Sequence, residues 1–166
     1  MLKGDSLLLA AALSILSGAL ANGSIANAAA QNVTPLPSDE CSAIARTIGD
    51  VVGIALKTTV GTPDLPDLHG TACLMSGSAT GLTMEFDNAR KKLEASLLRA
   101  AWTAVIDFDA DGPASTQKGF AKASQRVVYA LSTEPPHRAC ANVPIVDCKV
   151  PRRRWVWTLK LTAFVK

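Results

Sequence analysis

Hydrophobic and polar residues alternate most strictly at the C-terminal end of the chain. Trp155, Trp157, Leu159, Leu161, Ala163 and Val165 fall on one side of an extended backbone, and Thr158, Lys160 and Thr162 fall on the other. Successive side chains of a strand point to opposite faces, so this pattern predicts a half-buried strand over 155–165. Val127, Tyr129 and Leu131 alternate in the same way and predict a strand over 125–133. The intervening 134–153 is a Pro-containing loop, which suits an antiparallel pairing of the two strands.

A period near 3.6 replaces the alternation in two earlier stretches. Ile44, Ile48, Val51, Val52, Ala55 and Leu56 predict a first helix, with Ser38 as its cap. Asp39 and Glu40 lie in its first turn, where the helix dipole favours acids, and Gly61-Thr62-Pro63 is expected to end it. Ala89, Leu93, Leu97, Ala100 and Ala101 make the inner face of a second helix capped by Asp87. Arg90, Lys91, Lys92, Glu94 and Arg99 make its outer face. Residues 69–82 read as a strand with a turn near Ser76-Gly77-Ser78, 103–108 as a short strand, and 109–118 as a polar loop. The order helix, strand, helix, strand, strand, strand predicts an α+β fold. Two helices should pack on one face of a small, mostly antiparallel sheet.

The N-terminal stretch follows neither period. Lys3 is followed by an uncharged apolar run over 7–21 and by small residues ending at Ala28-Ala29-Ala30, the pattern of a cleavable signal peptide over 1–30. The run is shorter than the roughly 20 apolar residues a spanning helix needs. It is also broken by Ser14, Ser17 and Gly18. The expectation is a polar leader over 31–37, then a single exported domain over 38–166 with no transmembrane segment, placed in the periplasm or outside the cell. Cleavage would remove Lys3 and Asp5 together and leave the net charge of +3 unchanged.

That compartment changes how the cysteines read. Cys41, Cys73, Cys140 and Cys148 all follow the signal, and an even number of thiols in an exported chain predicts disulfides. Of the three possible connectivities, Cys41–Cys73 and Cys140–Cys148 are favoured, because the first would tie a helix start to a nearby strand and the second brackets a Pro-containing loop. Chain-entropy arguments value such cross-links at about 3.7 and about 2.6 kcal/mol. Zinc would require more closely spaced ligands, and His69 and His137 stand in separate contexts.

Two clusters of like charge are candidates for chemistry. Asp107, Asp109 and Asp111, followed by Gly112, match the first half of a calcium loop, but position twelve is Lys118 where a bidentate Glu is required. The competing reading is an acidic turn after an edge strand, with Asp111-Gly112-Pro113 as turn residues, and no cofactor is expected beyond this incomplete calcium pattern. Arg152, Arg153 and Arg154 make a basic cluster beside Trp155 and Trp157. Guanidinium forks bind carboxylates and phosphates, and adjacent aromatics can stack on a ligand. The competing reading is a basic loop end leading into a core strand with both tryptophans buried. The Gly/Ser stretch over 70–78 lacks the ending of a phosphate loop and the setting of a hydrolase serine.

The sequence therefore predicts a small, non-catalytic exported domain that binds an envelope or extracellular partner. One alternative is a module for anionic ligands (an envelope polymer, lipid or acidic protein) acting through Arg152, Arg153 and Arg154, with nucleic acid an unsuitable partner for an exported chain. A second alternative is a small secreted hydrolase, for which no catalytic residues stand out.

Overall fold

Among the described residues, ten helices and strands follow one another in the computed structural model. They are β1 (Gln31–Pro35), α1 (Ser38–Val52), β2 (Lys57–Gly61), β3 (Leu68–Gly70), β4 (Ala72–Thr80), α2 (Phe86–Arg99), β5 (Thr103–Gly112), β6 (Ser115–Lys122), β7 (Gln125–Glu134) and β8 (Val156–Val165). Short 3-10 turns occupy Ile145–Asp147 and Arg152–Arg154. The structure describes residues 31–136, 139–140 and 142–166, so the signal-peptide expectation for 1–30 and the side chain of His137 lie outside the described residues.

The strands form a sheet in the order β2-β4-β8-β7-β6-β5, antiparallel throughout. β1 adds an antiparallel contact to the end of β8 and a parallel one to β3. The fold is α+β, with two helices on one face of a mostly antiparallel sheet. The alternation in β7 and β8 is the reason. Val127, Tyr129 and Leu131 stand in register with Ala163, Leu161 and Leu159, and all six are buried against the helices. Ala45, Ile48 and Val52 of α1 and Ala89, Leu93 and Leu97 of α2 close the core from above. Each large apolar side chain buried there contributes about 1.5–3 kcal/mol. Cys41 is bonded to Cys73, which ties the first turn of α1 to the inner face of β4, and Cys140 is bonded to Cys148. Among the described residues no helix is long and apolar enough to cross a membrane.

Several boundaries differ from the sequence expectation. Helix α1 stops at Val52, because Gly53 takes a left-handed φ of 74° and donates its N–H to the Gly49 carbonyl. The β-branched Thr58, Thr59 and Val60 then form an edge strand, where the periodicity suggested more helix. No turn interrupts β4 at Ser76-Gly77-Ser78. Gly77 lies mid-strand because the Ala55 carbonyl crosses directly over it and leaves no room for a Cβ. The polar loop expected over 109–118 is a hairpin of β5 and β6, turning at Pro113 and Ala114. β5 is an exposed edge strand, so polar residues on both its faces cost nothing in burial.

The stretch expected to be a leader contains β1. Its Val33 anchors a second apolar cluster with Leu68, Ala72, Val128 and Phe164 on the opposite face of the sheet. Only part of that face is covered. Ser78, Thr158 and Ser132 stand in register across three strands on the remainder.

Candidate functional site

A buried anchor stands immediately before β8, and that anchor shapes the basic turn in front of it. Trp155 is fully buried and its Nε1 donates to the Val150 carbonyl at 3.0 Å. The Arg152 guanidinium lies over the Trp155 ring, 3.7 Å from its centroid. Such a cation–π contact contributes about 0.5–1 kcal/mol at an exposed site, and it holds the arginine in one orientation. The turn closes through Arg154 N–H to Pro151 O and Trp155 N–H to Arg152 O, both 2.9 Å. The Arg153 carbonyl accepts from the Gly81 N–H at 3.0 Å, so the turn is pinned to the segment between β4 and α2. Arg152, Arg153 and Arg154 are exposed, and among the described residues none of them is in a salt bridge.

The exposed-aromatic version of this surface is corrected by burial. Neither Trp155 nor Trp157 offers a free ring to a ligand. Trp155 works from below, as the platform for Arg152. Trp157 belongs to the core beside Phe86, with ring centroids 6.1 Å apart, and its Nε1 has no hydrogen-bond partner among the described residues. The alternation of both residues with Leu159 and Leu161 explains why they point inward.

The acidic cluster has the opposite character. Asp107, Asp109 and Asp111 lie on the extended β5 rather than on a looped segment. Lys118, the residue that spoils position twelve of the calcium pattern, crosses from β6 and is itself the cation. Its Nζ lies 3.1 Å from Asp109 and 2.9 Å from Asp111. Thr116 donates its hydroxyl to Asp111 at 2.6 Å. That hydrogen bond first, and the Lys118 ammonium second, hold the Asp111 carboxyl below its ordinary range, while the bonds to Asp111 and then Asp109 raise the Lys118 ammonium. One ammonium thereby serves two of the hairpin's three carboxylates and lowers their mutual repulsion. Among the described residues no cluster of three potential metal ligands forms.

A third network joins α2 to the sheet and was not visible in the sequence. The buried Tyr129 donates its hydroxyl to Glu94 at 3.3 Å, and Arg90 binds the same carboxylate oxygen at 2.9 Å. Burial, reinforced by the Glu94 charge, pushes the Tyr129 phenol far up, so it is a hydrogen-bond donor and not a phenolate base. Arg90 is raised in turn, chiefly by its hydrogen bond to Glu94. The i,i+4 spacing of Arg90 and Glu94 is legible, but their meeting with Tyr129 requires the packing of α2 on β7.

The other candidates are scattered. His69 is exposed on β3, opposite Asn32 of β1. Ser76 and Ser78 lie on the outer face of β4, and Ser78 shares a hydrogen bond with Thr158 at 3.2 Å. On that face, Thr59, Asp64, Ser76, Gln117 and Lys160 border an open trough of about 400 Å³. The histidine and the serines are not joined into a nucleophile–base pair by any side-chain hydrogen bond among the described residues. No protein-family model, no curated protein and no solved structure matches this chain.

Proposed function

We propose that the chain is an exported, non-catalytic binding domain that meets an anionic ligand through Arg152, Arg153 and Arg154. The N-terminal apolar run and its small-residue ending support export, as do the two disulfides. The observation that carries the binding reading is the state of the arginine turn: three exposed guanidinium groups, one fixed on the Trp155 ring, with no carboxylate paired to them among the described residues. Exposed cations fixed before binding lose less conformational freedom on engaging a ligand. Guanidinium forks pair with carboxylates and phosphates through two parallel hydrogen bonds.

The test is retention of the secreted chain on immobilised polyglutamate over a series of salt concentrations. Retention should fall steeply with salt, and the double variant R153Q/R154Q should bind at least tenfold more weakly. Unchanged retention of the double variant refutes the reading. Export is checked separately by intact mass, which should begin near Gln31 and gain four alkylated thiols only after reduction.

A further inference from the structure

A groove runs along the outer side of α2, bordered by Val51 of α1 and by Met84 and carrying Lys91, Lys92 and Arg99. These three cations are exposed, and among the described residues they too are outside any salt bridge. Among the described residues no carboxylate lines the groove. Met84 also borders the cleft beneath Arg152 and Trp155, so one side chain is shared by the helix groove and the arginine turn. The Gly81–Arg153 hydrogen bond holds the connecting segment against the turn. Glu85 lines the cleft on the arginine side and is the one carboxylate bordering either hollow.

We infer that the arginine turn and the α2 groove form one continuous track for a linear, repeatedly charged polyanion, a conclusion that rests on the anionic-ligand reading of Arg152–Arg154. The cations of the groove do not converge on a point, as a site for one small anion would require. From Lys91 to Arg99 the helix advances about 12 Å at 1.5 Å per residue, so a ligand must be extended to meet its cations in sequence. An extended chain of acidic residues covers that distance in about four residues, at up to 3.6 Å each, and needs more to reach the turn as well. The apolar lining of the groove is the single methyl of Ala95 with the half-buried Val51 and Met84, so the groove presents no large exposed apolar side chain for insertion into a bilayer. The track therefore suits a polymer laid along the open helix face better than a membrane surface.

Binding of the full secreted chain to polyglutamate and to polyphosphate of graded length tests this, with vesicles containing anionic lipid as a third arm. The wild-type chain should bind a 16-unit polymer at least tenfold more tightly than a 4-unit one. The variant K91Q/K92Q/R99Q should lose most of that gain yet bind the 4-unit polymer as before, and E85Q should bind the long polymer more tightly. If polyglutamate alone or polyphosphate alone shows the length gain, that arm identifies the charged group the track takes. A triple variant that keeps the full length dependence overturns the track and leaves the arginine turn standing. Binding to vesicles but to neither polymer overturns the track as well. An R153Q/R154Q variant that binds the short polymer like wild type overturns the underlying arginine reading instead.

Discussion

The acidic hairpin and the arginine turn look alike as strings of residues, and the fold treats them in opposite ways. Each places three like charges within a few positions, at 107–111 and 152–154. In the hairpin, a partner strand brings Lys118 and Thr116 across, and Asp109 and Asp111 share that one cation locally. At the turn, what lies beneath the charges is an indole, so Arg152 is oriented without being neutralised. A run of charge thus acquires meaning from the element that folds over it. The hairpin's charges serve its own register, while the turn's charges remain available to a ligand.

Removing the platform should give the largest effect. Trp155→Ala empties a fully buried site, and such changes cost about 3–5 kcal/mol. It should also weaken polyanion binding, because Arg152 loses the surface that orients it. Chemical denaturation followed by binding at a temperature where the variant is folded measures both. A variant that loses stability yet binds like wild type would show that the platform is irrelevant to the ligand.

R153Q/R154Q should act on binding alone. A tenfold loss of affinity corresponds to about 1.4 kcal/mol, while stability should stay within about 0.5 kcal/mol of wild type, as for other exposed substitutions. Lys118→Gln should do the reverse, lowering the melting temperature slightly and leaving polyanion binding unchanged. If Lys118→Gln altered binding as much as R153Q/R154Q, the contrast between the two regions would collapse.

The two tryptophans provide a finer comparison. Trp155→Phe breaks the bond to the Val150 carbonyl, whereas Trp157→Phe removes an indole N–H that has no partner. A net hydrogen bond is worth about 0.5–1.5 kcal/mol, so Trp155→Phe should be the more destabilising of the two by about that amount. Equal losses would mean that indole packing alone sets both sites.

The smallest expected effect is with acid. Asp111 ionises at a lower pH in the folded chain than its ordinary 3.8, so its contribution is complete above that value and fades as pH falls through the lower, folded one. Thr116→Val removes the leading cause and should raise the Asp111 midpoint, as followed by carboxyl chemical shift. No shift would mean that Lys118 alone holds the carboxylate.

What was legible in the sequence followed the strength of the burial signal. β7 and β8 alternate cleanly because one face meets the helices, and both helices show their apolar stripes for the same reason. The edge strands β2 and β5 carry polar residues on both faces, so β2 reads as a continuation of the first helix and the second half of β5 as a loop. Gly77 resembles a turn residue, although its purpose is to admit the Ala55 carbonyl. The arginine cluster was legible as charge. Its contact with Trp155 is local, three residues away, but the packing that buries that indole beside Met84, Phe86 and Thr133, and the sharing of Met84 with the α2 groove, depend on elements far apart in the chain. The Tyr129–Glu94 bond was hidden for the same reason.

The most direct test of the open arginine turn is the salt dependence of polyanion affinity, compared for wild type, R153Q/R154Q and Lys118→Gln. Exposed, unpaired cations should give the wild-type chain a steep loss of affinity with rising salt, since such interactions are screened within about 10 Å at 0.1 M. Lys118→Gln should keep that slope and R153Q/R154Q should flatten it. Identical slopes for all three chains would contradict the account.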